Sequence, residues 1–487
     1  MRLPASLALV LVSVLVSCAE PTAPATPATP PRVDIPLQMV EGALLSEFFV
    51  TERAPSYTYA GVTYPSALIS YFPQGFGAFD LWADGQDDLF VGMSKAYGTG
   101  LNTRVKPFFF RNEGGTFVDA TASVGVPAIP GVRRLAEISR PGDPFRGLFA
   151  VNHDTHDGQM ADALMISAGA TPSDVTSRVD NLPLAPLFGR SHATNAHSLA
   201  SGDINGDDRT DFVVGDWVYR AGCICIPYFL MQGSDGRWTV RQDTTLFRIT
   251  YDHPMVNPGV GEGRNLLLDL HLDDFNGDGK DDIIAGYGHG STASYIFLND
   301  GVGNFSYANG RALPTPPFGV DNSMHLKTYS PDINGDGAPD LIIVWSRYVP
   351  YYAGTALQIL INDGAGDFSD QTALRLRSIP GSELPARRLE WTDRFQLLDV
   401  NGDGQLDMVG SQRHDNVAKV RVWMNAGGTF NEIAVGVPAG FRGMPLGWVL
   451  HPDGRLTTVA FSSSWVDAEG SASRNWFTQY TLNRVIR

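Results

Sequence analysis

Polar and apolar positions fall in repeating blocks along this chain. Four times a nine-residue polar run, Asp-x-Asn-Gly-Asp-x-x-x-Asp, leads directly into a short apolar, β-branched run. Residues 203–211, 274–282, 332–340 and 399–407 precede Phe212-Val213-Val214, Ile283-Ile284-Ala285, Leu341-Ile342-Ile343-Val344 and Met408-Val409. Apolar runs this short, bounded by Asp, Asn and Gly, predict buried strands rather than helices. Later in each unit comes an apolar strand, then Asn, glycines and Phe, at residues 297–305, 360–368 and 423–430. An Asn/Gly turn between apolar runs is a hairpin signal. Each unit therefore reads as a four-stranded meander. Strand A ends at the polar loop, strand B follows it, a connection leads to strand C, and the Asn/Gly turn leads to strand D.

Partial copies extend the series. Residues 80–88 keep Asp80, Asp84 and Asp88 but carry Trp82 at the Asn position, and residues 110–117 supply the matching C–D turn. Residues 153–162 contain Asp157-Gly158, and residues 449–457 contain Asp453-Gly454. Loop starts near 80, 153, 203, 274, 332, 399 and 449 define seven units. Repeats of this length point to propellers or solenoids, and closed propellers have four to eight blades. After residues 456–461 only residues 476–483 remain as a good strand, so the seventh blade lacks its outermost one. Residues 47–52 or 56–64, ahead of the first blade, could supply it. The expectation is an all-β chain: a seven-bladed β-propeller of four-stranded antiparallel blades over residues 37–487, closed by an N-terminal strand completing the last blade.

The polar loops carry the clearest chemistry. Oxygen side chains at positions 1, 3, 5 and 9 of a tight turn suit a hard cation such as calcium. The sets are Asp203, Asn205, Asp207, Asp211; Asp274, Asn276, Asp278, Asp282; Asp332, Asn334, Asp336, Asp340; and Asp399, Asn401, Asp403, Asp407. Asp80, Asp84 and Asp88 form a partial fifth, so about four to five structural ions are expected. Position 7 offers a backbone carbonyl, as at Lys280. Gly279 permits the positive φ the turn needs, and Asp208 stands at that place in the third unit. Much of the formal net charge of −16 sits in these loops, so it reflects cation sites more than a general acidic character. There is no basic run and no aromatic-basic motif for nucleic acid.

The repeats resemble the FG-GAP/VCBS family, whose members include the propeller of integrin α subunits. The match covers roughly residues 75–483 and is fullest in units three to six. The resemblance implies calcium in the loops on one end of the ring and ligand recognition at the other.

The N-terminus reads differently. Arg2 precedes an apolar stretch at residues 7–16, too short to span a membrane and of signal-peptide length. It ends in Leu15-Val16-Ser17-Cys18, which resembles a bacterial lipobox. Cleavage would leave Cys18 lipidated, an anchor to the membrane and not a span. Ala19, not Asp, follows, which by resemblance to Gram-negative lipoproteins favours the outer membrane of the cell envelope. Residues 19–36, almost all Ala, Pro and Thr, form an extended tether. Cys223 and Cys225 read as structural cysteines, since their spacing fits no zinc site.

The B–C and D–A connections emerge opposite the polar loops. Aromatic and basic side chains recur near the B–C connections: Lys95 and Tyr97; Trp217, Tyr219 and Arg220; Tyr287 and His289; Trp345, Arg347, Tyr348, Tyr351 and Tyr352; Arg413 and His414; Trp465. Flat rings stack on sugars and Arg pairs with carboxylate or sulfate, so a glycan or an envelope or extracellular protein is the expected partner. A second reading is a scaffold subunit of an envelope complex. A third is a polysaccharide lyase acting on an acidic glycan by β-elimination, which needs a base, a cation and an acid. Its candidates are His192, His197, His253 and His289 with Tyr219, Tyr295, Arg220 and Arg311, which no common fingerprint joins. No Ser-His-Asp arrangement, phosphate-binding Gly loop or zinc motif is present.

Overall fold

Seven antiparallel blades, each four strands deep, form a ring in the computed structural model. The described residues are 37–54, 56–59, 62–64, 67–68, 71–95, 105–129, 131–152, 163–180, 196–216, 228–242, 266–288, 293–350, 353–379, 395–414, 417–439, 441, 443–466 and 472–484. Cys18 and the residue 19–36 tract lie outside them, as do Cys223 and Cys225. No helix among the described residues is long and apolar enough to cross a membrane.

The A and B strands of blades one to seven run Tyr71–Phe79 and Asp88–Lys95; Val132–Ile138 and Gly147–Asn152; Ala196–Gly202 and Asp211–Asp216; Leu266–Asp273 and Asp282–Gly288; Ser323–Tyr329 and Leu341–Arg347; Phe395–Leu398 and Asp407–His414; and Met444–Leu450 and Leu456–Trp465. Strand A begins each sheet and strand B is fully sandwiched, which is why the B runs are continuously apolar. Blades pack face to face. Val213 and Phe229 of blade three meet Ile283 and Phe297 of blade four, and Ile342 and Ile359 of blade five meet Met408 and Trp423 of blade six. Leu89 and Phe110 of blade one bury against Val459 and Phe477 of blade seven, so the first blade packs on the last.

Closure uses Leu37–Val50, which pairs antiparallel along Ser473–Arg484. Of the two expected segments, only 47–50 belongs to this strand. Tyr57–Tyr59 and Val62–Tyr64 instead pair with each other. The closing strand's alternation is broken by register shifts at Glu41/Leu44 and Leu44/Ser46, which hid it in the sequence.

Blade two also departs from expectation. Its A–B turn lies at residues 139–146, and residues 153–162 fall in the B–C connection, outside the described residues. The true turn carries no carboxylate ladder. Asp143 accepts from Arg140 N at 2.7 Å, from Thr210 N and Oγ1 at 2.8 and 2.6 Å, and from Gln232 Nε2 at 2.9 Å. That blade is thereby stapled to blade three without an ion.

Candidate functional site

The A–B loops of blades three to six share one internal geometry. In blade four, Asp274 Oδ1 accepts from Gly277 N at 2.8 Å and Asp278 N at 3.1 Å, and Oδ2 accepts from Gly279 N at 2.8 Å. Asp332, Asp399 and Asp203 repeat this with their own loops. Position 3 accepts from the N–H of position 5, as Asn276 does from Asp278 at 3.0 Å, and position 5 from that of position 7. The fold-back needs two left-handed residues. Glycine fills both places in blades four to six, whereas Asp208 (φ 60°) in blade three and Ala83 (φ 52°) in blade one each replace one.

The ninth-position aspartate has a second role that spacing could not reveal. Asp282 is fully buried, and its oxygens accept from Phe275 N at 3.1 Å and from Asn299 N at 2.8 Å. It joins the loop to the C–D turn of its own blade. Asp88, Asp211, Asp340 and Asp407 do the same. Burial pushes Asp211, Asp282 and Asp407 up to about 7 and Asp88 up to about 6, against the pull of those N–H donors.

The Asn of the C–D turn is the matching half of the clamp. Asn362 Nδ2 donates to Pro339 O at 3.0 Å and to Phe275 O, in the loop of blade four, at 2.8 Å. Its Oδ1 receives Gly364 N and Gly366 N, each at 3.1 Å. Asn299 likewise reaches Ile204 O, in the loop of blade three, at 2.8 Å. Each such turn locks onto the preceding blade's polar loop.

The donor sets fit a hard cation unevenly. Among the described residues no group of three or more His, Cys, Asp or Glu side chains is gathered to hold a metal ion. Each carboxylate oxygen nevertheless keeps a second lone pair after accepting an N–H. Asn205 Oδ1 in blade three is buried and accepts no hydrogen bond. Blades five and six have no ion pair on Asp332, Asp336, Asp399 or Asp403 among the described residues. Blade three already holds two cations: Arg209 pairs with Asp207, and a Cβ on Gly206 would collide with Lys280 Nζ. In blade one Arg111 takes Asp84 at 3.0 Å and lies over Trp82, leaving an incomplete set.

The opposite end keeps less of its expected surface. Trp345 and Tyr287 are buried at 2% and 1% exposure. Trp345 packs on His325 with ring centres 4.7 Å apart, and Tyr287 sits edge-on to Tyr295, so both fill space between blades rather than face a ligand. Arg347 lies over the Phe318 ring and Tyr348 is half-buried. Arg413 and His414 end the B strand of blade six, their side chains outside description. Trp217, Tyr219, Arg220, His253 and His289 lie outside the described residues. The remaining lyase candidates are dispersed from axis to rim. His197 is buried on the inner strand of blade three, Tyr295 stacks on Phe297, and Arg311 on the outer strand of blade four pairs with Asp367 of blade five.

Sequence reasoning missed a polar layer at the ring axis. The inner strands of blades one to five and seven each carry a bulge, at Pro73/Phe76, Val132/Arg134, Ala196/Ser198, Leu267/Asp269, His325/Lys327 and Pro445/Trp448. Bulges re-aim side chains. Arg134 Nε donates to His197 O at 3.2 Å, and its Nη2 donates to Leu268 O at 3.4 Å and Leu326 O at 2.8 Å. One guanidinium from blade two thus serves the unpaired inner edges of blades three, four and five. Beside it Asp269 is 1% exposed, and no hydrogen bond reaches either oxygen. Lys327 Nζ lies 3.6 Å away and His325 Nε2 3.9 Å away. Burial, then Lys327, pushes His325 down to about 3, so its ring is neutral.

No protein-family model matches the chain, and no curated protein matches it. Among solved structures it is similar to an exotype rhamnogalacturonan lyase, YesX, at 12% identity over 90% of this chain and 75% of that one, with a TM-score of 0.38. A Bacillus licheniformis rhamnogalacturonan lyase is similar at 12% identity, over 87% and 74% of the two chains, with a TM-score of 0.34. The Dos1 propeller is similar at 12% identity, over 84% and 94%, with a TM-score of 0.32. Likeness at this level bears on neither activity nor ligand.

Proposed function

We propose that the chain is a cell-envelope lipoprotein of FG-GAP/VCBS type, whose calcium-braced ring recognises a glycan or an extracellular protein with the end opposite its polar loops. The observation that carries this reading is the asymmetry of the connections. The A–B turns are short and closed by their own main-chain bonds. At the other end Lys95 to Phe108, Asp216 to Tyr228 and Gln242 to Leu266 are joined by long connections. Long loops held on a rigid scaffold are where proteins concentrate binding.

Calcium would be held by Asp274, Asn276, Asp278 and Asp282 in blade four and by the equivalent sets in blades five and six, neutralising each loop and fixing the A–B turn. Blade three would bind more weakly, because Arg209 and Lys280 already lie on it. Lipidation at Cys18 would tie the ring to a membrane, which palmitate labelling lost in Cys18→Ser tests. The recognition reading is tested with the full-length protein on a broad glycan array and by crosslinking to envelope extracts. Ligand capture that Arg347→Ala or Tyr348→Ala weakens, at unchanged melting temperature, is the expected result. Silence in both assays contradicts it.

A further inference from the structure

The axial layer carries more positive charge than it spends. Arg134 is satisfied by neutral carbonyls, which accept its donors but leave its charge uncompensated. Lys327 adds a second cation and Asp269 a single anion, while His325 is neutral. One positive charge is left on the axis of a chain whose formal net charge is −16. Lys327 is also the member of the layer that reaches solvent, its side chain 27% exposed. Its 3.6 Å approach to Asp269 is longer than a charge-assisted hydrogen bond of about 2.7–2.9 Å, so an ammonium with three donors keeps them for another acceptor. Asp269 lies too deep to touch a ligand and serves to position the lysine.

We propose that the ring axis binds the carboxylate of an acidic sugar through Lys327, with Asp269 and Arg134 as positioning residues. This rests on the proposed recognition function and narrows it to uronate-bearing glycans. A neutral sugar offers no charge to match the surplus.

The test uses the full-length protein with reductively ¹³C-methylated lysines, which keep their charge, and two probes, D-galacturonate and its neutral counterpart D-galactose. The Lys327 signal is identified by its loss in Lys327→Arg. Galacturonate is expected to move that signal saturably and galactose to leave it still. Lys327→Met should weaken galacturonate binding at least about tenfold, or ~1.4 kcal/mol, with Lys327→Arg much closer to the parent. A Lys327 signal that ignores galacturonate, or Lys327→Met binding it as the parent does, overturns the proposal even if the array shows ligands held elsewhere. A responding Lys327 with a silent array and no crosslinked partner upholds the axial site while the wider recognition reading falls.

Discussion

Replacing Asn362 by Ala removes one complete inter-blade clamp. The side chain is 1% exposed and makes four hydrogen bonds, two given and two received. The given pair is the costlier loss. Phe275 O and Pro339 O lie beneath the turn, where alanine offers no donor and the surrounding side chains leave little room for water. The Gly364 N–H, on an exposed residue, can find water instead. At about 1 kcal/mol per bond, with the exposed N–H largely recovered, the expected loss is about 2–4 kcal/mol. Urea unfolding followed by tryptophan fluorescence measures it. Asn304→Ala is the control: it breaks only an exposed side-chain bond to Asp300 at 3.0 Å and should cost under about 0.5 kcal/mol. If Asn362→Ala loses no more than the control, the turns are not clamps and the ring owes its register to apolar packing alone.

Further outcomes follow from the same geometry. Gly286→Ala would place a methyl 2.6 Å from the His325 ring, which Ser294 and Thr328 hold at 2.9 and 2.6 Å, so a stability loss of about 2 kcal/mol is expected in a thermal melt; an unchanged melting temperature would refute the packing described. Arg134→Ala should cost more than Arg134→Lys in urea unfolding, since lysine keeps a charge at the carbonyls while alanine leaves three of them without this donor; equal losses would contradict the hub. In chelator, Asp211, Asp282 and Asp407 titrate near 7 when folded against 3.8 otherwise, so the folded chain holds protons the unfolded chain has released. That stability is complete below the unfolded pKa and is lost as pH rises through about 7. Buried His271 and His325, pushed down to about 3, act in the opposite sense but only below about 6.5. Between about pH 6.5 and 8 the chelated protein should therefore melt at progressively lower temperature, and a rise across that window would contradict the assignment.

Much of the ring was legible because its repeat unit mixes two periodic signals, a carboxylate turn and an apolar run, that few other folds combine. Where the turn kept its Asp ladder, as at Asp274 and Asp399, the loop and the strand after it were located correctly. Blade two was misplaced because Asp157-Gly158 imitates a turn, while the real turn is held by Arg140 and Asp143 through contacts distant in sequence. The clamp role of Asp282 and Asn362 was hidden for a related reason: a carboxylate ligand and a carboxylate accepting N–H bonds look alike in a motif. Trp345 and Tyr287 were read as surface because they end apolar strands, yet the neighbouring blade covers them. The axial layer left no trace because bulges are set by strand twist and ring closure, which no local pattern records.

The most direct measurement is the calcium content of chelator-stripped, calcium-titrated full-length protein, followed alongside its melting temperature. Three ions should bind first, in blades four to six, and a fourth more weakly in blade three, with the melting temperature rising at each step and Asp336→Asn removing one tight site. Protein that takes up no calcium, and melts at the same temperature with or without it, would contradict the reading of these loops as cation sites.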